Sequence, residues 1–87
     1  MPYVLVRHRV SDFSNWKAAY DAHSTARQEA ALREEHLLRN VDDPNEVILL
    51  FEAKDLQKAK EFGASADLRE AMQNAGAVDK PDIYFLN

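Results

Sequence analysis

Along this chain, hydrophobic positions recur with period 2 in some stretches and with a period near 3.6 in others, and the stretches follow one another in a definite order. Tyr3–Val10 is rich in β-branched residues and alternates, placing Val4, Val6, His8 and Val10 on one face and Tyr3, Leu5, Arg7 and Arg9 on the other. This predicts a first strand. Ser11 or Asp12 can then cap a helix whose recurrent face carries Phe13, Trp16, Tyr20, His23 or Ser24, and Arg27, running to about Leu32. His36–Val41 reads as a second strand and Val47–Ala53 as a third. Between them, Asp43-Pro44-Asn45-Glu46 has turn chemistry, with proline at a position of a type I turn that suits its fixed φ. Asp55 caps a helical region over Leu56–Phe62 that Gly63 stops. Ser65 caps another over Ala66–Ala75, with Leu68, Ala71, Met72 and Ala75 as its apolar stripe and Gly76 closing it. Pro81 precedes a last strand, Asp82–Leu86.

The order β-α-β-β-α(α)-β is that of the ferredoxin-like α+β fold: a four-stranded antiparallel sheet with the first and third strands central, the fourth beside the first, and helices on one face. The third strand should then be the most apolar. Val47, Leu49 and Phe51 point one way and Ile48 and Leu50 the other, and Ile83–Leu86 is apolar on both faces as well. One layer of helices buries one side of a sheet, and the second side needs another cover. The simplest is a second copy of the same sheet, which predicts a homodimer. Arg7 and Arg9 on that outer side could pair across it with Glu46, Glu52 or Asp82.

Length and composition narrow the function more than they define it. The 87 residues fit a single domain, 1–87, and a chain of this size buries only about 60% of its unfolded surface, so a partner adds useful burial. Eleven Lys and Arg against 15 Asp and Glu give a net charge of −4 without a basic face, which argues against nucleic acid and anionic membrane as partners. The absence of cysteine rules out a disulfide framework, a thiolate nucleophile and a Cys-ligated metal. No stretch approaches the roughly 20 apolar residues that span a bilayer, and the amino terminus lacks a secretory apolar core, so a cytoplasmic location is expected.

Candidate chemistry gathers where the first strand meets the first helix. His8 interrupts an otherwise all-valine face, and His23 falls on the helix stripe that carries Trp16 and Tyr20. Together these residues would line a pocket with a proton acceptor or donor near neutral pH, an aromatic wall for a planar ligand and a phenol for a hydrogen bond. His8 and His23 are the candidate catalytic bases; Trp16 and Tyr20 are the candidate substrate contacts. The same residues also have a structural reading, since aromatics at helical spacing bury the most area in a small core and a histidine on an apolar face can be a satisfied structural group. Three histidines spaced 15 and 13 apart match no local metal-ligand motif, so neither a metal nor another cofactor is expected. His36 reads as a solvated residue, as does Arg69 in the last helix. Asp42, Asp43 and Asn45 read as turn formers.

The segments Val-Arg-His-Arg-Val-Ser-Asp-Phe-Ser-Asn-Trp-Lys (6–17), Arg-Asn-Val-Asp-Asp-Pro-Asn-Glu-Val (39–47) and Ala-Asp-Leu-Arg-Glu-Ala-Met (66–72) resemble small dimeric α/β-barrel proteins of the antibiotic-biosynthesis-monooxygenase and cyclase-like superfamily. The resemblance spans nearly the whole chain and implies the ferredoxin-like fold and dimerisation. For activity it implies a range: cofactor-free oxygenases of aromatic polyketides, haem-degrading enzymes, isomerases, cyclases, and stress-associated proteins without a known reaction. Haem-degrading relatives use an early-strand Asn with a Trp and a His near the later helix. Here the first strand carries His8, and residues 55–76 contain neither Trp nor His. The expectation is a small cofactor-independent oxygenase or isomerase/cyclase acting on an aromatic or enolisable molecule. The alternative is a non-catalytic ligand-binding or stress-related dimer.

Overall fold

The computed structural model describes residues 2–78 and 80–87. Its elements are β1 (Tyr3–Arg9), α1 (Phe13–Ala22), α2 (Ser24–Glu29), β2 (Leu32–Arg39), β3 (Glu46–Ala53), α3 (Leu56–Gly63), α4 (Ala66–Asn74) and β4 (Asp82–Leu86). The strands form one four-stranded antiparallel sheet in the order β2-β3-β1-β4, the ferredoxin-like arrangement. Side-chain caps fix the helix starts as the sequence suggests. Asp12 accepts from the amides of Ser14 and Asn15, Asp55 from that of Lys58, and Ser65 from that of Leu68.

Two boundaries differ from the sequence reading. The helix expected to run from Phe13 to about Leu32 stops at Ala22, is interrupted at His23, resumes as α2 and ends at Glu29. Ala31 then takes a left-handed backbone (φ 58°), which no helix can propagate, and Lys54 N–H donates to its carbonyl at 3.0 Å. The second strand therefore runs Leu32–Arg39 rather than His36–Val41, and His36 is an exposed mid-strand residue, not one near its start. Polar Arg-Glu-Glu in the first half of β2 hid the strand, because an edge strand with one face in solvent tolerates charge.

β2 also carries a bulge. The pairing with β3 slips between Glu34 and His36, so Leu32 and Glu34 lie opposite Ala53 and Phe51 while Leu37 and Arg39 lie opposite Leu49 and Val47. An extra residue flips the parity of everything beyond it. As a result both Glu34 and Arg39 turn toward the helices, and Leu38 is left 54% exposed on the far face.

The core lies between sheet and helices and consists of Val4, Val47, Leu49, Phe51 and Ala53 from the strands with Trp16 from α1 and Ala59 from α3. Val10, just past β1, joins it and bridges to Ala77; Ser11 N–H donates to the Gly76 carbonyl at 2.8 Å. This seam ties the β1–α1 connection to the end of α4. Gly76 is required there twice over: its φ is +89°, and a Cβ would sit 2.6 Å from Ser11 Oγ.

Among the described residues no helix covers the opposite face of the sheet. Leu5 sits between Leu50 and Tyr84, and Ile48 is flanked by Leu38 and Arg7. The arginines there have acidic neighbours within the same chain. Arg7 reaches Asp82 (3.1 Å), its direct neighbour on β4, and Glu46 (3.0 Å), diagonal to it on β3, and Arg9 approaches Asp43 and Glu46. Hydrogen bonds from the Asn40 amide and from Arg7 hold the Glu46 carboxyl below its ordinary range.

Candidate functional site

Helix α1 presents Phe13, Trp16 and Tyr20 at i, i+3 and i+7, so their rings fall in a row along one side. The centroids of Phe13 and Trp16 are 5.7 Å apart, and Trp16 stacks on Tyr20 at 4.9 Å with 22° between the planes. A guanidinium closes each end: Arg39 lies 3.8 Å from the Phe13 centroid and Arg27 lies 3.6 Å from that of Tyr20. The β2 bulge supplies the first of these, and the break at His23, which brings α2 back toward α1, supplies the second. Arg27 also donates to the Tyr20 carbonyl at 2.7 Å, fixing its guanidinium over the ring.

From the sheet, His8 meets this row edge-on, its ring 5.6 Å from that of Trp16 at 74°. It is 2% exposed, whereas His23 is half-buried at the C-terminus of α1 and stacks against Phe62 of α3 at 6.2 Å. The four residues singled out in the sequence, His8, Trp16, Tyr20 and His23, all line one cavity of about 100 Å³ between sheet and helices. Its remaining walls are largely apolar, with Leu49 and Phe51 on the sheet side and Phe62, Leu68 and Met72 on the side of α3 and α4. His36 is exposed and stands apart from the cavity.

Tyr20 supplies directional polarity. Its hydroxyl donates to Glu34 Oε1 at 2.7 Å. Burial, reinforced by that hydrogen bond to an anion, pushes its pKa well above the ordinary tyrosine value, while the Arg27 charge opposes the shift. With its proton committed to Glu34, the phenol oxygen offers lone pairs toward a ligand donor. Arg27 is the cationic side chain in the cavity lining among the described residues.

Arg27 and Glu34 were not recognisable as site residues from the sequence. Arg27 shares the helical stripe with Trp16 and Tyr20, which is a usable signal, but a single helix to Leu32 gives no reason for the chain to fold back there. Glu34 falls between the expected end of that helix and the expected start of the second strand, where no periodicity marks a direction. Among the described residues no group of His, Cys, Asp and Glu is placed to hold a metal ion, and no helix is long and apolar enough to cross a membrane.

Comparison with known proteins places this architecture among the antibiotic biosynthesis monooxygenase-like folds. No protein-family model matches the chain, and no curated protein does. Solved structures match over nearly its whole length. A "putative antibiotic biosynthesis monooxygenase" from Bordetella bronchiseptica superimposes with a TM-score of 0.80 at 14% identity, covering 99% of this chain and 94% of that one. A similarly described protein from Nitrosomonas europaea gives 0.70 at 16% identity, with 100% and 97% coverage. SnoaB, a cofactor-independent oxygenase from Streptomyces nogalater, gives 0.70 at 11% identity, with 95% and 89% coverage. At such identities the likeness is one of fold.

Proposed function

We propose that this protein is a small cofactor-independent enzyme, an oxygenase or an isomerase/cyclase, that acts on an aromatic or enolisable molecule held between sheet and helices. The observation that carries the reading is the convergence of two imidazoles, an indole and a phenol hydrogen-bonded to a carboxylate on one largely apolar cavity. Apolar walls with a few placed polar groups favour a planar, weakly acidic ligand, and they make its deprotonation depend on the base provided. His8 or His23 takes the proton. Arg27 and the Trp16–Tyr20 stack hold the resulting anion in place. In the isomerase or cyclase reaction the proton returns at another carbon. In the oxygenase reaction the anion reacts with dioxygen: a CH2 next to an enolisable carbonyl becomes C=O, one oxygen atom enters the product and the other leaves as water, so the substrate supplies all the electrons.

The same reading includes a homodimer in which the open sheet faces meet, supported by the exposed Leu38, Tyr84 and Leu86 on a face that also carries Leu5, Ile48 and Leu50. The close edge-on packing of His8 on Trp16 at 2% exposure supports the second reading, a non-catalytic ligand-binding dimer in which His8 is structural. His8→Gln and His23→Gln separate the two. For an enzyme, at least one abolishes oxygen uptake or proton exchange into enolisable substrates, with thermal unfolding still cooperative. For a binder, both leave ligand-induced changes in Trp16 emission intact and no turnover is found with any substrate. Trp16 is the sole tryptophan, so its emission reports on this cavity alone.

A further inference from the structure

In a chain without cysteine, tryptophan and tyrosine are the rings that give up an electron most readily, and here one of each stands in contact between the cavity and the surface. Trp16 lines the cavity at 3% exposure. Tyr20, one helical turn on, is half-buried and stacked on the indole with centroids 4.9 Å apart and 22° between the planes. The π systems meet face to face, so an electron passes between them without crossing solvent. Tyr3 and Tyr84, the other two tyrosines, belong to the opposite face of the sheet with Leu5.

Beyond Tyr20 the path ends at a base. The phenol donates to Glu34 Oε1 at 2.7 Å, and Glu34 is exposed and outside the cavity lining. An intact phenol keeps its proton against that carboxylate, whereas a phenol stripped of an electron is a strong acid and releases it. The Arg27 guanidinium acts in the same direction. At 3.6 Å from the ring centroid it opposes positive charge on Tyr20, which ties loss of the electron to loss of the proton.

We infer that Trp16, Tyr20 and Glu34 are a radical relay that carries an oxidising equivalent from the cavity to the surface. The oxidant is an organic peroxyl radical, the species formed when a carbon radical in the cavity adds dioxygen. It takes one electron from Trp16 and a proton from solvent and becomes a hydroperoxide. Tyr20 returns an electron to the indole cation radical and gives its hydroxyl proton to Glu34, leaving a neutral tyrosyl radical beside a neutral carboxyl group. A soluble one-electron reductant then supplies the electron at the surface, and the proton returns from Glu34 to the phenol oxygen. Trp16 is thereby spared the irreversible oxidation that a persistent indole radical suffers. The relay depends on the stack and the hydrogen bond alone, so it holds whether the cavity serves an enzyme or a binder.

A laser flash at the long-wavelength edge of the indole absorption, where tyrosine is transparent, ejects an electron from Trp16, the sole tryptophan, and starts the relay without a ligand. In the unaltered protein the tryptophan radical should decay as tyrosyl absorption grows in, at a rate independent of buffer concentration because the proton acceptor is built in. Tyr20→Phe should leave the tryptophan radical without a successor, and Tyr84→Phe should change nothing. Glu34→Gln keeps an acceptor for the hydrogen bond but removes the base, so transfer should slow on the order of a hundredfold and come to depend on buffer base. Ascorbate should shorten the tyrosyl lifetime far more than it shortens the tryptophan radical lifetime in Tyr20→Phe, since only the tyrosyl radical lies within its reach. The relay is overturned if the tryptophan radical of the unaltered protein decays without forming tyrosyl, or if tyrosyl still forms in Tyr20→Phe. An unchanged, buffer-independent rate in Glu34→Gln overturns it as well, because the proton then has another destination.

Discussion

The two faces of the sheet are built from the same strands and yet solve opposite problems. On the helix-covered face, Val4, Val47, Leu49 and Phe51 are buried, and the polar groups that enter, His8 and Tyr20, do so beside aromatic rings around a cavity. On the open face, apolar residues of similar size, Leu5, Ile48 and Leu50, share the surface with charges already satisfied in the same chain, Arg7 with Glu46 and Asp82. Internal pairing matters for the proposed dimer, in which this face meets a copy of itself. Charges compensated before contact lose less on desolvation than isolated ones would, and they do not oppose a symmetric approach. The inner face has the features of a ligand site and the outer face those of an interface.

Adjacent residues test this contrast most strongly. Leu49→Asp places an unpaired carboxylate in the core and is expected to unfold the chain, a loss of more than about 4 kcal/mol in a protein of ordinary stability. Leu50→Asp, one position along and on the other face, should leave a folded chain by circular dichroism that light scattering at micromolar concentration finds monomeric. If Leu50→Asp remains a dimer, the open face is not the interface.

Phe51→Ala should cost about 3–5 kcal/mol in urea unfolding, because it removes a buried ring and enlarges the cavity. A loss well under that range would mean that the helices collapse onto the space and that the cavity is not rigidly held.

Tyr20→Phe removes the hydrogen bond to Glu34, an expected loss of about 1 kcal/mol. In the unaltered protein one of the three tyrosines should ionise above the ordinary range in an ultraviolet titration, and that late step should be missing from the variant. The sign follows from the raised pKa. The folded state favours the protonated phenol, so the contribution is complete below pH 10, the unfolded value, and is lost as pH rises toward the folded one.

The smallest effect concerns the open face. Because the Glu46 pKa is lowered in the folded state, its contribution is present above 4.5 and is lost as pH falls below that value. Glu46→Gln should therefore flatten the acid arm of the stability curve and lower neutral-pH stability by the same small amount, since Arg7 and Glu46 lie at a surface where single ion pairs are weak. An unchanged acid arm would show that the Arg7–Glu46–Asp82 cluster has no energetic role.

Much of the fold was readable along the chain. The period-2 face of β1 put Val4 and His8 on the buried side, Asp12, Asp55 and Ser65 announced the helix starts, and the apolar run of β3 marked it as central. The co-location of His8, Trp16, Tyr20 and His23 followed from the same patterns, because a strand face and a helix stripe that share one core must meet. The break in the first helix was not readable. Ser24–Glu29 has ordinary helical composition, and it is the left-handed turn at Ala31 and its bond to Lys54, a residue in another hairpin arm, that set the chain's direction. The bulge at Glu34–His36 was hidden for the same reason, since register is a property of a pair of strands.

The sequence by itself therefore determined the order of the strands and main helices, the buried faces of β1 and β3 and the four residues that meet at the cavity, all of which depend on local periodicity and capping. Only the tertiary structure decided that Glu34 would hold the Tyr20 proton and that Arg27 and Arg39 would close the ends of the aromatic row. Each of these depends on the relative position of segments distant along the chain, and in β2 one inserted residue is enough to reverse which side chains face inward.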